Sequence, residues 1–189
     1  GSVKYPVVTA LELALNGKAR FVGSHPMAGS EEAGLASAQA DLFEGAVCIV
    51  TATEATDKDA LMRVAQFWEA LGMKVRTLSP AAHDEMVAKV SHLPHVMAAA
   101  LVNYVCQQGK EPMDVCGNGF KDSTRIAAGP AEMWKEICMV NRDELRRALD
   151  GLIEELSLAR QMLENKDETS LLAFLRRAKQ LREELKSRQ

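Results

Sequence analysis

The sequence predicts an α/β segment followed by an all-helical domain. In the first 78 residues, short strand-like runs at residues 46–50 and 74–78 alternate with stretches of helical periodicity, which is typical of a parallel sheet with crossover helices. From Ser79-Pro80 onward every periodic segment is helical, and serine followed by proline is itself a helix-start signal. We therefore expect two domains, residues 1–78 and residues 79–189.

Each element of the first domain is predicted from a local signal. Residues 6–16 carry apolar side chains at helical spacing and end in Asn-Gly, a common helix stop. Thr56 or Asp57 is a suitable N-cap for a second helix, which ends at Gly72. The remaining predicted elements are a strand ending at His25, a loop with a helical turn over residues 29–42, and the strands over residues 46–50 and 74–78.

The second domain is predicted from its apolar stripes. A long helix follows Ser79, and Pro94 is expected to kink it because proline lacks a backbone donor. Beyond the kink, residues 96–105 are apolar nearly all round, which predicts burial of this half. The later predicted features are a glycine-bearing connection over residues 114–129, a helix from Pro130, a helix capped by Asn141 and a last helix over about residues 169–187. The leucine stripes of the last two helices need facing helices, which predicts a homodimer.

Composition excludes several classes of partner. The chain has 189 residues, 47% of them hydrophobic and 26% charged, which is ordinary for a globular protein with a real core. Its net charge of −3 favours neither nucleic acid nor an anionic membrane as a partner. The four cysteines form no Cys-x-x-Cys pair, which is typical of reduced thiols in a cytoplasmic protein. No run is long enough for a membrane span, and no signal peptide is expected.

His25 is the candidate general base. A short apolar run ends there at a turn of small residues, and Pro26 favours extended geometry for the residue before it. In open α/β sheets, ligands bind at the carboxyl ends of strands, and an imidazole there is a natural proton acceptor. The alternative is a turn histidine with no catalytic role, and the spacing alone leaves both interpretations open.

The other three histidines lie on the predicted long helix. His83 is in its first turn, and His92 and His95 flank Pro94 at a spacing that places them on one face. Such a pair is able to bind a metal ion, but no third ligand with supporting carboxylates is evident, so we expect no metal. Two polar rings within an otherwise apolar segment instead favour a ligand pocket at the kink.

Arg125 and Trp134 are weaker candidates from spacing alone. Arg125 follows two glycines in a predicted polar loop, where a guanidinium group can hold a carboxylate through two hydrogen bonds. An ordinary salt bridge is the alternative for this arginine. Trp134 lies on the apolar stripe of its helix, where the default interpretation is a core residue.

Three motifs, in this order, closely resemble the prephenate/arogenate dehydrogenase family of tyrosine biosynthesis. They are Gly23-Ser-His-Pro-Met-Ala-Gly29, Ser91-His-Leu-Pro-His95 and Asp122-Ser-Thr-Arg125. The resemblance runs through essentially the whole chain and implies a remnant of a Rossmann-like domain followed by an all-α dimerisation domain. It also implies a cytoplasmic, NAD- or NADP-dependent oxidoreductase that converts prephenate or arogenate by oxidative decarboxylation.

The resemblance implies roles for most of the polar residues. His25 would accept the proton of the ring hydroxyl while hydride leaves for the nicotinamide. If Gly1-Ser-Val-Lys4 is the native match to the family's Gly-Ser-x-Lys rather than a cloning remnant, Ser2 would help to orient His25 and the ring hydroxyl, and Ser2 and Pro26 would lie beside the nicotinamide. Arg125 would hold a substrate carboxylate. The other implied substrate-binding residues are His83, His92, His95 and Trp134.

The front of the sequence departs from the family pattern. Family members begin with a βαβ unit carrying Gly-x-Gly-x-x-Gly, which is absent here, so a fragment of the enzyme is expected. A non-catalytic helical dimerisation or ligand-binding module and a related dehydrogenase for another hydroxy acid are the alternative functions. His25 and Arg125, together with three further pocket histidines, favour the dehydrogenase of this family.

We predict that these 189 residues do not bind a dinucleotide tightly. The pyrophosphate group needs a glycine-rich turn and a helix N-terminus, and the sequence carries no Gly-x-Gly-x-x-Gly. Calorimetric titration with NAD and NADP should give no measurable binding at micromolar concentration, and tight binding of either would contradict the prediction.

Overall fold

A computed structural model describes residues 2–29, 38–107, 109 and 111–186 of the chain. In chain order its helices and strands are α1 (Tyr5–Leu15), β1 (Gly23–Met27), β2 (Val47–Thr51), α2 (Lys58–Ala70), β3 (Lys74–Leu78), α3 (Pro80–Val87), α4 (Leu93–Cys106), α5 (Glu111–Asp114), α6 (Asn118–Thr124), α7 (Ala131–Val140), α8 (Arg142–Glu164) and α9 (Glu168–Lys186). A π-helical turn (Ala88–His92) joins α3 to α4, and a 3-10 turn (Arg125–Ala128) follows α6. Residues 30–37, where the sequence predicts part of a loop, lie outside the described residues.

The three strands form one mixed sheet in the order β1-β2-β3. Strands β2 and β3 are parallel, whereas β1 runs antiparallel to β2. The prediction of a wholly parallel layer is therefore wrong for β1. Helix α2 supplies the crossover that the parallel pair needs, but the described residues between β1 and β2 supply only a turn at residues 40–45.

The sequence predicted a strand that ends at His25. In the structure His25 lies in the middle of β1. The strand begins at Gly23 because β2 ends at Thr51, which pairs with Gly23 in the antiparallel register. The two backbones approach closely here, since an ideal Cβ on Gly23 would lie 2.4 Å from the Thr51 hydroxyl oxygen. His25 is paired with Ile49 of β2, so the sheet fixes its backbone from that one side.

The core of the sheet region lies between the sheet and α2. Cys48, Val50 and Met73 are buried, and Trp68 packs against them from α2. Asp57 begins α2 as predicted, because its carboxylate accepts the Ala60 backbone N–H at 2.8 Å. These contacts hold β2 in place, and β2 in turn fixes the register of β1.

The helical region begins at Ser79, as predicted. The Ser79 hydroxyl accepts the Ala82 backbone N–H at 3.2 Å, and Pro80 occupies the first turn of α3. Pro94 lies near the start of α4, directly after the π-helical turn. The break in α-helical hydrogen bonding predicted at this proline thus takes the form of a widened turn, a common way to accommodate a missing donor.

The predicted connection before α7 is partly helical. Residues 118–124 form α6 and residues 125–128 form the 3-10 turn, so the prediction of a polar loop around Arg125 is wrong. Thr124 stabilises this segment because its hydroxyl donates to the Phe120 carbonyl oxygen at 2.7 Å. Arg125 is exposed at the start of the 3-10 turn, which packs against α4.

Several predicted apolar faces are exposed in the single chain. A single chain does not bury the whole of residues 96–105, because Met97, Leu101 and Tyr104 are exposed while Ala98 is buried, so their enclosure in a dimer stays a prediction. Along α8 and α9 the large apolar side chains are also exposed, including Leu156, Leu163, Leu175, Leu181 and Leu185. In both cases helical periodicity places apolar residues on faces that the described contacts of one chain leave open to solvent.

The chain divides into two compact units, residues 1–145 and residues 146–189. The functional division at residue 78 that the sequence predicts stays a prediction. Across the part of the chain that the structure describes, no helix combines the length and apolar character that a membrane span requires.

Candidate active site

Asp84 is the buried charge around which the candidate site is built. Its carboxylate accepts the backbone N–H groups of Lys4 at 2.7 Å and Tyr5 at 2.8 Å, and the Lys4 side chain does not cap the helix. These N–H groups lie at the start of α1, where no intrahelical acceptor is available to them and where a negative charge is also stabilised by the helix dipole. Asp84 therefore caps α1 from α3, a contact that spans 80 residues of sequence.

Asp84 is also bonded to the ring of its neighbour. His83 Nδ1 lies 2.7 Å from the Asp84 carboxylate, and both side chains are buried. Burial by itself would raise the pKa of Asp84, but the hydrogen bonds from His83 and from the backbone of Tyr5 and Lys4 hold it below its usual value. An ionised Asp84 only accepts hydrogen bonds, so His83 carries a proton on Nδ1.

His25 completes a linear series of three side chains. His25 Nδ1 lies 2.8 Å from His83 Nε2, the nitrogen on the far side of the ring from Asp84. When both rings are neutral, His83 Nε2 is an acceptor and His25 Nδ1 must donate to it. The lone pair of His25 is then on Nε2, which is the form needed to accept a proton from a substrate.

The environment of His25 favours its neutral form. Burial lowers the pKa of His25 to about 3, assisted by the positive charges of Lys4 and of His83 when protonated. Lys4 is itself 4% exposed, and burial lowers its pKa although the charge of Asp84 partly offsets this effect. His25 is thus unprotonated near neutral pH, while the series through His83 to Asp84 can compensate a proton taken up at Nε2.

His92 is connected to the same series through Asn141. The Asn141 amide nitrogen lies 2.9 Å from the Asp84 backbone oxygen and 3.1 Å from His92 Nδ1. Asn141 directly precedes α8, as predicted. The two hydrogen bonds of its side-chain nitrogen, however, are made to Asp84 of α3 and to His92, and not to the first turn of α8. Burial lowers the pKa of His92 to about 4, so this ring is neutral as well.

The ring of His95 stacks on the indole ring of Trp134. The ring centroids are 3.6 Å apart and the ring planes are 12° apart. Gly129 permits this arrangement, because an ideal Cβ there would lie 2.7 Å from Trp134 Nε1 and 3.3 Å from His95 Cε1. Burial lowers the pKa of His95. Trp134 is half-buried against a site histidine and is not the core residue that its spacing alone suggested.

The remaining predicted site residues lie on neighbouring elements. Pro26 follows His25 in β1 and is half-buried, and Ser2 is half-buried in the segment that leads into α1. The 3-10 turn of Arg125 packs against α4, the helix that carries His95. The structure joins His25, His83 and, through Asn141, His92, whereas the roles of Ser2, Pro26 and Arg125 stay predictions.

Sequence reasoning missed three residues of this site. Asp84, Lys4 and Asn141 were not assigned to the site. The adjacent His-Asp pair in a first helical turn was the available signal, since a carboxylate often orients an imidazole. Nothing local marks Lys4 or Asn141, because their contacts depend on how distant segments meet.

The site contains a neutral histidine in a mixed sheet, joined by hydrogen bonds to a buried His-Asp pair on an adjoining helix, an arrangement that is chemically able to accept a proton from a ligand. Residues 1–77 match the family model "Prephenate dehydrogenase, nucleotide-binding domain", and residues 79–177 match "Prephenate dehydrogenase, dimerization domain". The chain belongs to the prephenate dehydrogenase family, which confirms the predicted family and fold class.

Individual relatives agree with this assignment. The chain is 34% identical over 192 residues to a prephenate dehydrogenase of Bacillus subtilis and 32% identical over 191 residues to a cyclohexadienyl dehydrogenase of Zymomonas mobilis. These alignments cover 100% and 99% of this chain but 52% and 65% of the relatives. The chain thus spans between half and two thirds of the length of these relatives.

Solved structures share the fold. Prephenate dehydrogenase from A. aeolicus, in complex with hydroxyphenyl propionate and NAD+, has a TM-score of 0.91 and 38% identity, covering 98% of this chain and 65% of that chain. Synechocystis arogenate dehydrogenase has a TM-score of 0.85 and 28% identity, covering 98% of this chain and 67% of that chain.

Burial of neutral histidines should make the folded state sensitive to acid. The pKa of His25 is about 3 and that of His92 about 4, both below the ordinary value of 6.5. Between these values the unfolded chain binds protons that the folded chain excludes, so the free energy of unfolding falls as the pH falls from 6.5 toward 4. We expect the urea concentration at the unfolding midpoint to be lower at about pH 5 than at about pH 7, and His25→Asn to reduce this difference. An equal difference in both proteins would contradict the pKa assigned to His25.

Proposed function

We propose that the protein containing this chain is an NAD(P)-dependent dehydrogenase of tyrosine biosynthesis, which converts prephenate or arogenate by oxidative decarboxylation. The observation that carries this proposal is the series from His25 through His83 to Asp84, with distances of 2.8 Å and 2.7 Å between successive side chains. It supplies a neutral, oriented base for a ring hydroxyl, which is the proton acceptor that this reaction requires.

His25 takes the hydroxyl proton at Nε2 in the proposed mechanism. His25 Nδ1 donates to His83, and His83 donates to Asp84, so the positive charge that develops on His25 is compensated by a buried carboxylate. The carbon that bears the hydroxyl loses hydride and becomes a ketone. The ring carboxylate then leaves as carbon dioxide, and its electron pair restores the aromatic ring.

Other residues of the chain position the substrate. We assign one substrate carboxylate to Arg125, whose planar guanidinium group is suited to two parallel hydrogen bonds. The stacked pair of His95 and Trp134 provides an aromatic surface against which we propose that the substrate ring packs. His83 acts through His25, and Ser2 is proposed to orient the substrate hydroxyl toward it.

The chain fits the nicotinamide end of a cofactor better than its phosphates. Pro26 offers a half-buried apolar ring next to His25 in β1, which suits a flat nicotinamide, and Ser2 is the second residue that we place there. The sequence has no Gly-x-Gly-x-x-Gly turn for a pyrophosphate. When bound, the nicotinamide supplies the hydride acceptor, and either NAD or NADP is consistent with these residues.

We propose a homodimer and a cytoplasmic location. The exposed apolar side chains of α4, α8 and α9 are suited to a second copy of the chain, as the dimerization-domain match supports. All four cysteines are free, which suits a reducing compartment.

His25 and Arg125 should fail in different ways in the full-length protein. His25→Asn keeps a polar group but removes the base, so kcat should fall by roughly 10²–10⁴ with little change in substrate affinity. Arg125→Ala removes a charge-assisted contact with a carboxylate, typically about 1.5–3 kcal/mol, and should mainly raise KM. Steady-state rates with prephenate and arogenate, each with NAD and NADP, measure both effects.

The matched control is Arg63→Ala, which removes an exposed arginine from α2 and should leave both constants unchanged. Near-normal turnover of His25→Asn would refute the role of the base. An unchanged KM for Arg125→Ala would refute the carboxylate contact.

The oligomeric state tests the proposed use of the exposed stripes. Sedimentation of the full-length protein at micromolar concentration should give a dimer, because exposed leucines along two long helices favour association. A glutamate in place of Leu156 or Leu175 should shift the protein toward monomer, and a wild-type monomer would contradict the proposal.

A further inference from the structure

We propose that Asn141 is a positioning residue that holds His92 in the tautomer with its proton on Nε2, so that His92 donates a hydrogen bond to a carboxylate oxygen of the substrate. This inference rests on the proposed function, because it takes the substrate to be a carboxylate. It adds a binding contact and assigns the residue that maintains it.

Asn141 contacts the His92 ring through a hydrogen bond to Nδ1. It is 5% exposed, and its amide nitrogen makes both hydrogen bonds, to the Asp84 backbone oxygen at 2.9 Å and to His92 Nδ1 at 3.1 Å. A primary amide has two N–H groups, so both bonds can form at once.

The direction of the amide follows from its partner on α3. The reversed orientation would place the Asn141 oxygen against the Asp84 backbone oxygen, bringing two acceptors into contact without a proton between them. The NH₂ group therefore faces both Asp84 and His92. His92 Nδ1 must accept, and a neutral His92 then carries its proton on Nε2.

In this tautomer the Nε2–H group of His92 is a buried donor that the described residues leave without an acceptor. Within the described part of the chain, His92 Nε2 has no hydrogen-bond partner, and neither has His95 Nδ1 one turn later. His92 is fully buried, and its ring meets Trp134 edge-on with centroids 6.3 Å apart. Because an unpaired buried donor is costly, the N–H group marks a position where a ligand acceptor is stabilised.

A carboxylate oxygen is the acceptor that this position favours. His92 lies beside the stacked pair of His95 and Trp134, which we assign to the substrate ring. The charged groups that act on His92 are Asp84 and His83 from α3 and, across the site, His25 from β1. The pKa of His92 is about 4, so between about pH 6 and pH 9 it donates as a neutral ring and its donor does not titrate.

The test exchanges the donor at residue 141 for an acceptor. In Asn141→Asp the carboxylate accepts from His92 Nδ1, which favours the opposite neutral tautomer and raises the pKa of His92. At low pH the protonated ring still has a proton on Nε2, whereas at higher pH Nε2 becomes a lone pair facing the substrate carboxylate. We therefore expect KM for prephenate to match the wild type at low pH and to rise roughly tenfold or more as the pH increases.

Two further variants complete the design in the full-length protein. Asn141→Ala removes the donor without adding an acceptor, so KM should rise at every pH while kcat stays within about threefold of the wild type. Asn165→Asp makes the same chemical change at an exposed position between α8 and α9 and should have no effect. A purely structural role of Asn141 would change stability but would add no pH dependence to KM.

Nitrogen NMR of the histidine rings provides a readout that does not depend on activity. In the wild-type protein near neutral pH, His92 should be neutral with its proton on Nε2. A proton on Nδ1 of wild-type His92, or parallel pH profiles of KM for Asn141→Asp and the wild type, would overturn the inference. If the wild type instead fails to oxidise both prephenate and arogenate, the proposed function fails, while the tautomer of His92 still tests the role of Asn141.

Discussion

The ionised carboxylate of Asp84 is the constraint on which the site depends. It caps α1, bonds His83, and through that ring sets the proton position on His25 in β1. Its own backbone oxygen holds Asn141, the residue that leads into α8. A buried carboxylate must be satisfied by several donors, so the helix N-terminus and the histidine series stabilise the same charge and are fixed together.

Elements with local signals were predictable from sequence. Asp57 begins α2 through a bond to a residue three positions later, and Asn16 ends α1 in the left-handed conformation with φ 42°. The start of α3 at Ser79 follows from the same kind of signal. For the site, the positions of His25, His83, His92 and His95 came from the motifs, and the structure joins the first three into one hydrogen-bonded network.

Features that depend on distant segments were not predictable in the same way. The antiparallel direction of β1 depends on its register with β2, and the exposure of Met97 and Leu101 depends on which faces one chain covers. Asp84 and Lys4 meet across 80 residues, and Asn141 and Asp84 across 57. Asn141 looked like an ordinary cap because its sequence position is that of a cap, whereas its side chain bonds to another helix.

Assignment of the imidazole protons of His25 by nitrogen NMR tests the central claim most directly. With Asp84 ionised and both rings neutral, His25 must carry its proton on Nδ1, and Nε2 must be an unprotonated nitrogen near neutral pH. Asp84→Asn should disturb this tautomer while leaving His25 itself in place. A proton on His25 Nε2 in the wild-type protein would show that the series does not orient a base, and would contradict the account.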